Sequence, residues 1–547
     1  MVQVAAIGLD AAEWWVIDQL MAEGRLPHLR SLRSTSAECR LTTGAPYRSE
    51  LPWTQFITGR SGRANGYWST AAFDPADYAV SLVGAFPAAP FYARDDLSVI
   101  AFDVPHSTIR DDVNGVQVTA WGAHSAQYPR ASRPVGLLSE IDARFGVHPG
   151  FDNDYDGGWH QPRYLDAIGA AMLAGSSTRV DIAEWLLQER DDWDLFVTVL
   201  SESHSAGHHY WHGIDPTHPL HEAPTAPSAR NWLIGVYEEL DRGVGRLVAT
   251  LPADTYVVVF AAHGMQTNAN DVTSLALLPE IAHRLHFGEG CLIDVGQQRW
   301  MRQGHPPLRP PARLGWRDVV RQRFAADPDE RRRKRRRLMA PDLPIDLARR
   351  AQHRLTGRPR MTWELNTEFP AESRDSIEEM AGIRNRVEWQ PPTFYRRYWP
   401  SMDWFVLPTF SDAHVRINVA GRERDGRVPI DEFAAACDRV EHEARACINP
   451  RTGRSAVAEV HRMRTDPLEP NAPDGDLVVE WAEPADALVH PQAGMVGPLP
   501  FQRTGEHSVN GFAFVHGPGV VPEDLGERSV FDLPPTILSL LGREPDR

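Results

Sequence analysis

Five side chains able to hold a metal ion or move a proton crowd into one short stretch. Leu200 to Gly213 reads LSESHSAGHHYWHG and carries Glu202, His204, His208, His209 and His212. If the chain turns helical after Ser203, His204 and His208 stand at i and i+4. They then share a face and can close on one ion. Neutral imidazole suits zinc at ordinary pH. The plainer alternative is a loop of solvated or hydrogen-bonded histidines. The run before it, DLFVTVL from Asp194 to Leu200, is short, apolar and β-branched, as in a buried parallel strand. The polar cluster therefore falls at a strand's carboxyl end, where open α/β sheets bind ligands.

Other reactive side chains fall at similar junctions. Val2 to Leu9 reads as a buried strand, Asp10 follows it, and a helical pattern with Trp15, Ile17, Leu20 and Met21 comes next. Asp10 is a crevice ligand or a helix N-cap. Ser49 stands just before Leu51 to Ile57, which reads as the first turns of a buried helix. A hydroxyl there lies in a positive field near free backbone N–H groups, which favours an alkoxide and an anionic substrate. A capping serine is the bland reading. Arg48 either holds an anionic group or pairs with Glu50. TYVVVF, from Thr255 to Phe260, is a strong strand, and His263 follows in AAHGM.

The remaining chain sets the frame for these residues. Its 547 residues allow one large domain with an insertion, or two to four domains. Hydrophobic content is an ordinary 42%, and no run of eighteen apolar residues predicts a membrane span. The start, MVQVAAIGLD, lacks the basic region of a signal peptide. Cys39, Cys291, Cys437 and Cys447 are scattered without CxxC, which fits a reducing cytoplasm. The net charge of -16 argues against nucleic-acid affinity. Leu97 to Phe102 and Ala456 to His461 read as strands, and Val415 to Gly426 (VRINVAGRERDG) as a strand followed by a turn. Val180 to Gln188, Trp232 to Val248, Asp431 to Ala446 and a closing segment begun by Asp532 and Pro534 read as helices. Residues 125 to 175 read as loop-rich. Residues 296–400 read as an inserted cap, flanked by a catalytic domain of 1–295 and 401–547. RRRKRRR, from Arg331 to Arg337, is a solvated helix face, a binding site for phosphate-rich partners or a localisation tag.

Several motifs together resemble the alkaline phosphatase superfamily, nearest its type I phosphodiesterase/nucleotide pyrophosphatase branch. They are AIGLDAAEWWVIDQL, SELPWTQFITGRSGRANGYW, ESHSAGHHYWH, AAHGM, VRINVAGRERDG, and GEHSVNGFAFVHGPGV with FDLPPTILSLLG. They run in the family's order from end to end, leaving the middle insertion uncovered. The resemblance implies an α/β fold with a mostly parallel central sheet and helices on both faces. It also implies two metal ions, usually zinc, about 4 Å apart over a Ser or Thr nucleophile. Asp10 then matches an aspartate ligand of one site, with His263, and Ser49 matches the nucleophile. His208 and His507 match the histidines of the other site.

Three positions depart from the family pattern. His204 stands where the family has Asp, Ala262 stands where it has the Asp before His263, and its transition-state Asn falls near Ser69 and Thr70. One firm zinc on His204, His208 and His507 is expected, with an open fourth position. The second metal is doubtful, left with Asp10, His263 and Ser49 unless Glu202, Asn268 or Asp271 joins. The implied reaction is in-line phosphoryl or sulfuryl transfer through a covalent ester on Ser49, with Arg48 clamping the anion. Asp10 and His263 would activate Ser49. The substrate is a small phosphate or sulfate ester, with water or an acceptor alcohol as second acceptor. An aryl sulfate-dependent, PAPS-independent sulfotransferase is one alternative, and a non-catalytic metal-binding relative is another. Ser49 is followed by Glu50, Leu51 and Pro52, so the x-Pro-x-Arg context of formylglycine sulfatases is missing. Trp68, Trp121, His124, Trp159 and His160 are candidates for an acceptor pocket.

Overall fold

A computed structural model describes residues 2–44, 46–83, 86–122, 129–150, 157–294, 296–310, 316–339, 387 and 389–544. The chain begins β1 (Val4–Leu9), α1 (Trp14–Ala22), α2 (Pro27–Arg33), β2 (Ala37–Thr42), α3 (Leu51–Thr58), α4 (Gly62–Asn65), β3 (Ala71–Asp74) and β4 (Ala79–Leu82). It continues β5 (Val99–Phe102), β6 (Gly115–Thr119), β7 (Ala131–Arg133), α5 (Leu137–Phe145), α6 (Pro162–Glu189), β8 (Leu195–Leu200), α7 (Glu202–Ile214), α8 (Ala226–Thr250) and β9 (Tyr256–Ala261). Next come β10 (Gly264–Thr267), α9 (Leu278–Phe287), α10 (Gln297–Arg302), α11 (Trp316–Arg323), α12 (Pro328–Met339), β11 (Trp404–Leu407) and β12 (Ala413–Ile417). The last strands are β13 (Val457–Arg462), β14 (Leu477–Trp481), β15 (Leu488–His490), β16 (Gly494–Val496), β17 (Gly505–Ser508), β18 (Asn510–His516) and β19 (Asp524–Ser529).

Nine strands form the central sheet in the order β19-β2-β18-β9-β1-β8-β5-β6-β7. Its core strands β9, β1, β8, β5 and β6 are mutually parallel. β18 runs antiparallel between β2 and β9, and β7 closes the far edge antiparallel to β6. The continuous apolar runs follow from burial on both faces. Along β1, Ala5, Ile7 and Leu9 enter one core with α1, α6, α7 and α8, while Val4 and Ala6 enter another with α3 and Leu533–Leu540. Alternation of side chains across the strand produces that split. The predicted α/β architecture is the observed one.

A second, antiparallel sheet has the order β11-β12-β14-β13. It shares a core with α9 and Trp316 and Val320 of α11. The four-stranded sheet thus packs against α9 of the expected catalytic domain and against α11 of the expected cap. One expectation is corrected outright. Residues 162–175, read as loop, belong to the 28-residue helix α6. Its Gly and Ser residues depress helix propensity, but packing against α8 overrides that. The basic run lies on α12, where Arg332 pairs with Asp329 and Lys334 with Glu330. That is the solvated-face arrangement.

Candidate active site

β8 delivers the chain into α7 after one residue, so the histidines start at the sheet's carboxyl end. His204 and His208 do share a face of α7, with their Nε2 atoms 3.1 Å apart. His507 comes from β17, which pairs antiparallel with β10 and places His507 opposite Met265. Its ring lies 4.8 Å from His204 and 5.2 Å from His208. One donor atom from each of the three histidines lies within 4.8 Å of the others, and all three side chains are buried. Gly505 permits this crossing: a Cβ there would stand 2.3 Å from the Gly207 carbonyl oxygen of α7. The Nδ1–H of His208 donates to the Gly505 carbonyl at 2.7 Å, which fixes the tautomer and presents Nε2 as a lone pair. Three buried imidazoles with donor atoms this close together fit a divalent cation with an open fourth position.

Asp10 sits at the end of β1 with its backbone N–H bonded to Leu200. It caps no helix, since α1 starts at Trp14 with Glu13 before it. Its Oδ1 accepts a 2.6 Å bond from the Trp53 indole and lies 3.3 Å from His263 Nε2. Gly8 gives the indole passage, because a Cβ there would meet Trp53 at 2.8 Å. The His263 ring lies 4.4 Å from His507, so the Asp10–His263 pair borders the three-histidine cluster. Ala262 beside it is buried and offers no ligand. Among the described residues, Asp10 and His263 do not belong to a compact trio of candidate donors.

Ser49 lies in the turn entering α3, whose N-cap is Glu50 with no side-chain capping bond. Ser49 is half-buried, and its hydroxyl is therefore not used as a cap. Trp53, one turn along α3, anchors this helix to Asp10 and lies 6.4 Å from the His263 ring. Two residues before Ser49, Tyr47 holds φ at +67°, a costly conformation for a non-glycine residue that recurs at functional turns.

The other candidate residues are engaged by partners of their own. Arg48 forms a buried pair with Asp412 at 2.6 Å and reaches Glu480 at 3.4 Å. Burial opposes its charge, but Asp412, Glu506 and Glu480 outweigh that and raise its pKa. Glu202 accepts from Arg179 and faces His148, each at 3.0 Å. Burial disfavours its ionised form, yet Arg179 and His148 hold its pKa down at about 2. Asn268 donates to Asp271, and Asp271 takes a two-pronged contact from Arg503. His209 packs on Tyr164, and His212 faces the Thr225 hydroxyl. Trp121 lies in the Arg179 network, Trp159 donates to the Phe501 carbonyl, and His124 falls outside the described residues.

Arg503 was missed from sequence. Its Nη1 lies 3.2 Å from His208 Nε2, while its other nitrogens hold Asp271. Its only linear signal is a position four residues before His507. A second buried trio, Glu280, His283 and Cys291, is structural in character. Glu280 already accepts from Tyr395, Arg284 and the backbone of Cys291 and Leu292.

Residues 4–354 match the family model described as type I phosphodiesterase / nucleotide pyrophosphatase. A comparison with curated proteins finds no match. Among solved structures, wild-type alkaline phosphatase PafA is similar with a TM-score of 0.48 at 11% identity, over 99% of this chain and 96% of that one. Phosphonoacetate hydrolase from Sinorhizobium meliloti, in complex with phosphonoformate, gives 0.47 at 12%, with 99% and 96% covered. Human ectonucleotide pyrophosphatase / phosphodiesterase 5 gives 0.45 at 10%, with 100% and 96% covered. The chain belongs to the type I phosphodiesterase / nucleotide pyrophosphatase family and is a phosphoesterase-type hydrolase.

Proposed function

We propose that the chain hydrolyses a phosphodiester through a covalent phosphoryl ester on Ser49, at a centre holding one tight zinc ion. The observation that carries this is the convergence of His204, His208 and His507 beside Asp10 and His263. The bound ion would polarise a phosphoryl oxygen or the leaving oxygen. The other roles belong to side chains. Ser49 Oγ forms the bond to phosphorus, and the bond to the leaving alcohol breaks, its electron pair going to that oxygen. The Ser49 proton passes toward Asp10 and His263, and the leaving oxygen is protonated in turn. Water then displaces Ser49 from phosphorus and restores the hydroxyl. Arg503, whose Nη1 is 3.2 Å from His208 Nε2 while its Nε and Nη2 hold Asp271, would neutralise a nonbridging oxygen with Nη1. Three neutral ligands in place of a carboxylate-rich set leave more of the cation's positive charge uncompensated, so a substrate with even a single negative charge is attracted. Phosphodiesters and sulfate monoesters share that charge.

Ser49→Ala tests the reading, with product analysis on phosphodiesters and aryl sulfates, with and without acceptor alcohols. Turnover of phosphodiesters should fall by about 10³-fold or more with zinc content unchanged, while Ser49→Thr keeps measurable activity. A zinc-loaded Ser49→Ala chain working at the native rate would remove the covalent mechanism. Turnover of aryl sulfates alone would transfer the assignment to sulfuryl chemistry.

A further inference from the structure

Residues 47–50 form the turn that delivers Ser49, and three of these four are gripped by one corner of the second sheet. The corner is the connection from β11 to β12 and the start of β12, residues 411–414. The Tyr47 ring lies 4.2 Å from the His414 ring. The Arg48 guanidinium donates to both oxygens of Asp412, at 2.6 and 3.2 Å. The Ser411 hydroxyl donates to Glu50 at 2.9 Å. Tyr47, Arg48 and Glu50 are buried, whereas Ser49 between them is half-buried. The grip therefore falls on the residues immediately before and after Ser49 and leaves Ser49 itself accessible.

The corner is braced from behind. The Ser411 N–H donates to the Thr409 hydroxyl at 3.1 Å, and the Thr409 N–H to the Gln390 side chain at 2.8 Å. β12 pairs with β11 on one side and β14 on the other. Glu480, on β14, reaches Arg48 at 3.4 Å. The turn needs such a hold, because Tyr47 at φ +67° persists only where its surroundings fix it. The plainer role for Arg48 and Asp412 is to join the two sheets. A buried ion pair is a weak source of stability, since desolvation offsets its attraction, but it does fix a geometry. Residues 411–414 lie beyond residues 4–354, so the family match assigns them nothing.

We infer that Asp412 and Ser411 are positioning residues for the nucleophile: through Arg48 and Glu50 they hold the Ser49 hydroxyl where it can attack phosphorus. The inference rests on the covalent phosphodiesterase reading. Neither residue touches the substrate. Their effect is on the attack itself, because a nucleophile displaced by a fraction of an ångström loses its near-attack geometry while substrate binding is unaffected. At the other end of the same segment, the Trp53 bond to Asp10 ties α3 to the residues beside the three histidines. Ser49 is thus held between the second sheet and the metal centre.

The test is steady-state kinetics of the full chain on a phosphodiester, with zinc content measured in every variant. Asp412→Asn keeps the side chain's shape and removes its charge. Its kcat should fall by about 10–100-fold with KM and zinc unchanged, the loss expected for a reacting atom misplaced by about 1 Å. Ser411→Ala should lower kcat a few-fold, and Ser411→Thr, which keeps the hydroxyl, should restore it. If Asp412→Asn fails to fold because Arg48 is left unpaired, Arg48→Met/Asp412→Leu removes both charges of the pair. That double variant should show the same fall in kcat at native KM. Native kcat in a folded Asp412→Asn or in the double variant would leave the pair only its joining role and overturn the inference. A rise in KM in place of the fall in kcat would overturn it too, by making Arg48 a substrate contact. Failure of the native chain to turn over any phosphodiester would instead remove the proposed function, and with it the step these residues serve.

Discussion

The two faces of β17 differ sharply. On one, His507 meets His204 and His208, and three donor atoms point at a common centre. On the other, Glu506 accepts from Gln266 and the Asn270 backbone, near a second dense set of charges: Glu50, Asp412, Arg48 and Glu480. Most of that set is paired within itself. Arg48 bridges to Asp412, and Ser411 donates to Glu50. Burial pushes Glu506 up to about 8 despite Arg48, and burial with the nearby Asp412 pushes Glu50 up to about 7. Strand alternation sends neighbouring residues to opposite sides. The difference teaches that the density of titratable groups does not make a site. Convergence of lone pairs does, whereas carboxylates that accept from their neighbours tie two sheets together.

Removing one imidazole breaks the comparison most severely. His208→Ala should abolish tight zinc binding and, with it, activity, because one of only three protein ligands is lost. Elemental analysis checks this, and full zinc in the variant would show that the trio is not the metal centre. His263→Ala should keep the tight ion.

Next in size is the guanidinium beside the imidazoles. Arg503→Lys loses the fork held by Asp271 and with it the nitrogen beside His208, so KM for a phosphodiester should rise by roughly 10–100-fold, with bound zinc retained. Steady-state kinetics would contradict this if Arg48→Lys raised KM while Arg503→Lys left it untouched.

Ala262→Asp sharpens the contrast by adding a carboxylate beside His263. Occupancy of a second ion should rise, with substrate preference moving further toward phosphodiesters. Metal titration and a substrate ratio both unchanged would detach Ala262 from the crevice.

The smallest effect belongs to the carboxylate face. Glu50 has its folded pKa raised from an ordinary 4.5 to about 7. Between those values the unfolded chain releases the proton and the folded chain keeps it, so this group's contribution to stability falls as pH rises. Glu50→Gln removes that loss and should stabilise the chain by on the order of 2 kcal/mol more at pH 8 than at pH 5. Denaturant unfolding at both values measures it; a difference independent of pH would show that Glu50 ionises normally.

Much of this molecule was legible as local pattern. Apolar runs ending at Asp10, Leu200 and Ala261 gave the parallel strands, because a strand buried on both faces needs apolar residues throughout. The i, i+4 spacing of His204 and His208 became a shared helical face through backbone geometry alone. Pattern misled where packing outweighs propensity, as in the first half of α6, whose Pro, Gly and Asp residues read as loop.

Partnership was decided only by the tertiary structure. The sequence left Ser49 and Asp10 each open to a capping role, and folding gave neither one. It placed Arg48 and Glu202 in ion pairs with Asp412 and Arg179, 364 and 23 residues away in sequence. It brought Arg503 to His208 across 295 residues. Residue type sets what a side chain is able to bind; which partner comes within about 3 Å depends on long-range packing, and linear spacing carries no record of that.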